Sequence, residues 1–270
     1  MSQTSEVKLI GKAVCQFDIA LKTGLRIGGS SEGIKIGGVD AKVIRDAWDR
    51  PYIPGSSLKG KLRSLHERQD KVALNDRDGS FHRCRTSDAY RKCAVCRIWG
   101  TMPETGARPE VASLTRIVVR DCYLDVDSFK KDLPAGEPSL SEVKTEIAID
   151  RRTGTTGGRG AGGLRQIERV PAGAIFRPAE FVYNVFEEED KGLLKHVFVA
   201  LALLEDDYLG GMGSRGYGKV KLERVNVWWN RAADYESGST GLTENRRING
   251  DMDTPAKLAQ GFETLQAKLT

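Results

Sequence analysis

Two groups of residues in this chain have the types and spacing to do chemistry. The first is His82-x-Cys84, then eight residues, then Cys93-x-x-Cys96. Three thiolates and an imidazole complete a tetrahedral zinc shell with no open position, which is a structural rather than a catalytic arrangement. Unliganded loop thiols are the alternative reading. Arg77, Arg83, Arg85, Arg91, Lys92 and Arg97 crowd the same stretch. Little else there can order the chain, so a metal would replace a hydrophobic core.

The second group runs from Gly37 to Arg63. Gly37-Gly38-Val39-Asp40 brings a carboxylate to the end of a glycine-rich run, and Pro54-Gly55-Ser56 then punctuates the chain before a basic helix. Ser56 reads as its N-cap, Leu58, Leu62 and Leu65 as its buried stripe, and Ser56, Lys59 and Arg63 as a neighbouring face. Free amides at a helix start, the positive end of the dipole and two cations suit a phosphate, and a phosphodiester is the natural guest. Gly55 to Lys61 also matches GxxxxGK, but Leu62 stands where a hydroxyl must hold magnesium. Gly211, Gly213 and Gly216 match GxGxxG, yet that run follows a helix and opens a strand, the reverse of the dinucleotide motif. A helix whose lysines serve only solubility is the plainer alternative.

The elements that must position these groups follow from periodicity. Val7 to Leu21 alternates as a strand, Ile117-Val118-Val119 reads as a central strand, and Phe176 to Phe186 as another. Lys191 to Tyr208 is the clearest helix, with Leu193, Val197, Leu201, Leu204 and Tyr208 as its stripe and His196 packed or solvated beside it. In Lys219 to Trp229 the alternation shifts, which predicts a bulge near Arg224. Between the middle strands, 143–170 reads as a projecting hairpin: two arms around a tip holding six glycines between Thr153 and Gly163. Such a hairpin orders against a ligand or a neighbouring subunit. Its arginines 151, 152, 159, 165 and 169 favour nucleic acid, with a disordered glycine loop as the alternative.

The 270 residues hold one large core or two small ones. The net charge of +5 is unevenly spread: 42–68 has seven Lys or Arg against three acids, and 121–142 has six acids against two bases. A basic patch of this kind suits a polyanion. Five cysteines, an odd number, argue against a disulfide framework, and Cys15 and Cys122 sit in apolar strand patterns. No run of 18 apolar residues can span a membrane and the first residues lack a signal-peptide pattern, so the expectation is a cytoplasmic protein without a membrane partner.

The element order resembles a ferredoxin-like fold with long insertions. Gly37 to Asp40, Tyr52 to Arg63, Lys144 to Asp150, Gly163 to Gly173 and Leu203 to Gly218 together resemble the backbone-subunit family of the type III-A CRISPR Csm effector complex, within the RAMP superfamily. The resemblance covers about 7–228. It implies an α+β fold: an RRM/ferredoxin-like palm as a single domain over 1–230, a zinc-bearing insertion at 76–112, a projecting β-hairpin thumb at 143–170, and a polar extension at 231–270, either a docking tail or solvated. It implies structural Zn2+ on His82, Cys84, Cys93 and Cys96. It also implies CRISPR RNA and complementary target RNA as ligands, with further copies of the chain in a filament and other type III effector subunits as partners. The implied activity is a metal-dependent endoribonuclease using Mg2+ or Mn2+, with Asp40 as the essential acid and the RNA 2′-OH as nucleophile. A structural subunit that binds the guide without cutting is the alternative. RNA contacts are expected at Arg26, Arg45, Ser56, Ser57, Lys59, Arg63, Arg151, Arg165, Gly213, Ser214 and Arg215. Arg26 stands where many relatives carry a histidine, Ala41-Lys42 replaces a common Asn-Pro, and the segment from Asp40 to Tyr52 is one residue shorter than usual.

Overall fold

The structure is a computed structural model that describes residues 7–28, 42–75, 78–101, 114–131, 139–147, 149–150, 153–156 and 164–270. In chain order, β1 (Gly11–Leu21) and the short β2 (Tyr52–Ile53) precede α1 (Gly55–Gln69). Helices α2 (Ser87–Lys92) and α3 (Ala94–Trp99) carry the cysteine stretch. Then come β3 (Ile117–Val119), β4 (Cys122–Tyr123) and α4 (Val126–Lys131), followed by the hairpin strands β5 (Glu142–Ile147) and β6 (Leu164–Arg169). The chain ends with β7 (Ile175–Val185), α5 (Glu188–Asp206), β8 (Val220–Arg231), α6 (Ala232–Glu236), α7 (Pro255–Gln260) and α8 (Phe262–Gln266).

The main sheet is antiparallel in the order β3-β7-β1-β8, with β1 between the two longest partners. Omitting the insertions leaves β1-α1-β3-β7-α5-β8, the β-α-β-β-α-β succession of a ferredoxin-like fold. The odd residues of β1, Ala13, Cys15, Phe17, Ile19 and Leu21, are buried beneath the helices. Leu58, Leu62 and Leu65 of α1 and Leu194, Val197, Phe198, Leu201 and Leu204 of α5 close that core. Each fully buried leucine contributes about 2 kcal/mol of transfer free energy, so these stripes fix which way both helices face.

The strand register has two irregularities, and both flank Asp18. Opposite Phe17, β8 carries one extra residue, and Arg224 there has φ 54°, the bulge expected from the sequence. Arg224 Nε donates to the buried Asp18 carboxylate at 2.8 Å, and Arg177 approaches it from the irregularity in β7 at 3.8 Å.

Three expectations change. Ile117–Val119 lies at the sheet edge rather than its centre, because only β7 pairs with it. The α5 stripe includes Leu194 and Phe198, and Tyr208 lies beyond the helix end. Most consequentially, the tail from 231 onward is no solvated extension. Leu258, Phe262, Leu265 and Leu269 join the main core, Phe262 packs against Phe198 with ring centroids 6.2 Å apart, and Trp229 Nε1 donates to the Thr270 carbonyl at 2.9 Å. Asn249, fully buried, accepts from the Val227 amide and donates to the carbonyls of Val225 and Met252. No helix among the described residues is long and apolar enough to cross a membrane.

Candidate nucleic-acid interface and metal cluster

Helix α1 begins two residues earlier than its sequence suggests, and its first amide is already occupied. The helix opens at Gly55, and Pro54 rather than Ser56 is the N-cap. Asp121 accepts the Gly55 N–H at 2.7 Å, so a carboxylate of the chain itself fills the place expected for a phosphate. Glycine is required there because a Cβ would stand 2.3 Å from the Val119 carbonyl oxygen.

The leucine stripe divides the rest of α1 into two polar faces. On one side Arg63 donates Nε to Glu67 at 2.9 Å, one terminal nitrogen to the Gly100 carbonyl at 2.9 Å, and the other to the His82 carbonyl. Arg63 therefore ties the cysteine stretch to the helix. Lys59 lies on the same side, and burial first, then the Arg63 charge, lowers its ammonium pKa. On the other side Ser57, Lys61, Ser64 and Arg68 recur at helical spacing and face the glycine-rich loop across a cleft of about 480 Å³. Lys59 and Arg63, the cations expected at the interface, thus lie away from this cleft, while Lys61 and Arg68, seven residues apart in sequence and so on one helical stripe, line it.

The opposite wall is Tyr208, Gly210 and Gly211, with Ile27 and Gly28 beside them. Gly210 and Gly218 have φ 76° and 73°, and a Cβ on either would meet a backbone carbonyl oxygen, of Arg26 at 2.3 Å and of Leu209 at 2.0 Å. Gly213 lies so close to the Tyr208 ring that a Cβ would stand 1.9 Å from it, while Lys61 Nζ sits 3.7 Å from the ring centroid. Arg26 accepts the Gly211 N–H on its carbonyl at 2.9 Å, and its buried Nε has no partner among the described residues. Gly213, Ser214 and Arg215 form one short 3-10 turn. Arg215 pairs with Glu146 of the hairpin at 3.3 Å.

The hairpin is anchored at its base. Glu168 accepts from Arg45 at 2.7 Å, from Ser141 Oγ at 2.6 Å and from the Val43 amide at 2.9 Å. Burial would raise its pKa, but those three donors outweigh it and hold the carboxyl below its ordinary range. Arg45, expected to meet RNA, is thus the hairpin's anchor. Tyr217 donates to Glu146 at 2.9 Å and carries Lys144 and Arg169 over its ring. One face of the hairpin is engaged in this way, while Val143, Ile147, Ile149 and Leu164 remain exposed. Arg165 is exposed on β6. Asp40 and Arg151 lie outside the described residues.

The cysteine stretch converges as its spacing implies. One ligand atom from each of His82, Cys84, Cys93 and Cys96 falls within 4.8 Å of all the others, and His82 Nε2 is 3.4 Å from Cys93 Sγ and 3.6 Å from Cys84 Sγ. His82 Nδ1 lies 2.8 Å from the Ala73 carbonyl, which fixes that nitrogen as the donor and leaves Nε2 for a metal. Hydrogen bonds from Cys96 draw the Cys93 thiol down to about 5 against the effect of burial, and burial pushes Cys84 up to about 11. One thiolate beside two thiols is a set that a divalent cation completes by displacing the remaining protons.

A second cluster, His66, Asp70 and His196, also has ligand atoms within 4.8 Å. His66 Nε2 lies 3.0 Å from both Asp70 Oδ2 and His196 Nδ1. The two histidines do meet, but His66 is 1% exposed, which removes it from any substrate.

The antiparallel sheet, the capping helices and the glycine-walled basic cleft describe one class of protein. A family model described as RAMP superfamily matches residues 18–221. A protein of Methanocaldococcus jannaschii named CRISPR system Cms endoribonuclease Csm3 is 41% identical over 242 residues, covering 89% of this chain and 90% of its own. Its namesake from Streptococcus thermophilus is 36% identical over 77% of this chain and 86% of its own. The crystal structure of a Csm3–Csm4 subcomplex of the type III-A CRISPR-Cas interference complex superposes with a TM-score of 0.56 at 29% identity, covering 95% of this chain and 97% of that one. The Methanopyrus kandleri Csm3 structure, 22% identical over 97% of this chain and 99% of its own, shares the fold with a TM-score of 0.62. The chain belongs to the RAMP superfamily and, within it, to the Csm3 family.

Proposed function

We propose that this chain is a guide-RNA-binding backbone subunit of a type III CRISPR effector complex and an endoribonuclease that cuts RNA paired with its guide. The observation that carries the reading is the cleft in which Lys61 and Arg68 face a wall of glycine backbone, with the Arg26 guanidinium beside Gly211, in a chain 41% identical to a protein named a CRISPR endoribonuclease. Cations on one side and backbone without side chains on the other admit a sugar-phosphate strand at close range.

The sheet supports the same route by being unsuited to the usual one. RRM sheets bind bases on exposed aromatics. Here Phe17, Phe181 and Tyr183 are buried under the helices. The opposite surface carries side-chain pairs of its own, Lys12 with Asn184, Gln16 with Glu180 and Arg120 with Glu180, each at 2.8 Å. The strand is left to the cleft and to the hairpin, whose exposed Val143, Ile147 and Leu164 form a wedge suited to parting stacked bases.

RNA brings its own nucleophile. Cutting breaks the bond from phosphorus to the 5′-oxygen as the 2′-oxygen bonds to phosphorus, leaving a 2′,3′-cyclic phosphate and a 5′-hydroxyl. The protein's work is to hold that oxygen in line, and a base displaced from the stack imposes such geometry. His66 and His196 are locked together on α1 and α5, so no free histidine pair serves as acid and base. Asp40 is our candidate for the essential acid, as a ligand for Mg2+ or Mn2+ or as acceptor of the 2′-OH proton. Such an ion, when bound, supplies charge for the developing phosphorane.

The Cys3His donor set fits Zn2+ held by His82, Cys84, Cys93 and Cys96, as a brace for the stretch that Arg63 ties to α1. Further copies of the chain and other effector subunits are its partners in this reading, in keeping with the subcomplex of its structural relative. In the assembled complex, Asp40→Ala retains RNA binding and loses cleavage of a complementary RNA; continued cutting refutes the assignment.

A further inference from the structure

Beside the cleft, paired with its cations, stands a charge of the wrong sign for a polyanion site. Asp207, the C-cap of α5, accepts from Lys61 Nζ at 3.1 Å, and its carboxylate lies 3.5 Å from Arg68. Lys61 and Arg68 are the two cations that line the cleft among the described residues, and Lys61 is held between this carboxylate and the Tyr208 ring. Asp207 and Tyr208 are adjacent in sequence, so a single backbone segment both cradles Lys61 and offsets its charge.

We propose that Asp207 is a specificity-determining residue whose carboxylate competes with RNA phosphate for Lys61 and Arg68. A strand touching only the cleft has to displace an anion that is already in place, and no other contact offsets the desolvation of its own phosphates. A strand held by other contacts reaches the same cations at high effective concentration and displaces it. The carboxylate thus lowers affinity for RNA in general while leaving a strand in register bound. This rests on the cleft being the RNA site. The rival role for Asp207 is to position Lys61, and the two roles predict opposite signs.

The test is binding of a uridine homopolymer to the full chain across a salt series, for the wild type, Asp207→Asn, Asp207→Ser and Lys61→Ala, each shown to be folded by its thermal transition. Asp207→Asn binds about two- to fivefold more tightly, the range of one partly exposed ion pair. With Lys61 free to neutralise a phosphate, the slope of log K against log salt steepens by about 0.7. Asp207→Ser moves the same way, which separates charge from shape. Weaker or unchanged binding in both Asp207 variants, with Lys61→Ala weakened, overturns the competition while leaving the cleft as the RNA site. Unchanged binding and slope in Lys61→Ala overturns the cleft reading itself, and the proposal with it.

Discussion

The indole Nε1–H of Trp99 donates to Nδ1 of His66 at 2.8 Å, in a spot where His66 is 1% exposed. That single bond fixes the tautomer: Nδ1 is the acceptor, so the proton of the neutral ring is on Nε2 and points at Asp70 and His196. A neutral imidazole in this state has no lone pair on Nε2 to offer a metal. The His66, Asp70 and His196 cluster is accordingly a hydrogen-bonded joint between α1, α3 and α5.

Acid should loosen this joint. Burial, helped by the nearby His196 and opposed by Asp70, pulls the His66 pKa down from 6.5 to about 4. The unfolded chain therefore binds more protons than the folded one between these values, so stability falls as pH drops from about 6.5 towards 4. The loss amounts to a few kcal/mol at the low end. Urea melts at stepped pH check it: His66→Gln keeps an acceptor for Trp99 and a donor for Asp70, and its stability should depend on pH less steeply in that window.

The metal prediction joins the cluster to α1. Elemental analysis should give about one zinc per chain, and Cys93→Ser should lower it. Arg63→Met leaves all four ligands intact but removes the bonds to the His82 and Gly100 carbonyls. It should lower the melting temperature and speed zinc loss to a chelator, with the number of zinc atoms bound at saturation unchanged.

The two faces of α1 should separate in RNA binding. Arg68→Ala, on the cleft side, should weaken binding at all sequences alike and flatten the salt slope by about 0.7. Lys59→Ala, on the far side of the leucine stripe, should change both far less. Equal effects would return the binding face to the side first read from the sequence.

Gly218→Ala tests the backbone packing of Gly218 against Leu209, between the cleft-lining Tyr208 and Gly210. The position has φ 73° and its Cβ would stand 2.0 Å from the Leu209 carbonyl oxygen, so both backbone strain and a clash follow. A loss of about 2 kcal/mol or more in denaturant unfolding is expected. Gly216→Ala, with φ 82° but open space around its Cβ, should cost about 1 kcal/mol.

Much of this molecule could be read along the chain because the signals were local. Cys93-x-x-Cys96 spans one turn of chain, Leu58, Leu62 and Leu65 repeat at helical spacing, and the bulge at Arg224 shows as a shift in alternation. The cysteine cluster and the helix core therefore came out as expected. What only the tertiary structure decided were long-range matters: Asp121 filling the start of α1, Glu168 taking Arg45 from across the hairpin, Asp207 reaching Lys61, and Phe262 finding Phe198. Each is a pairing between residues more than 60 apart in sequence, as the separations of 66, 123 and 146 residues in the three polar pairs show. A charge pattern gives the number of cations on a helix; which of them stay available to a ligand depends on carboxylates that the fold delivers from elsewhere.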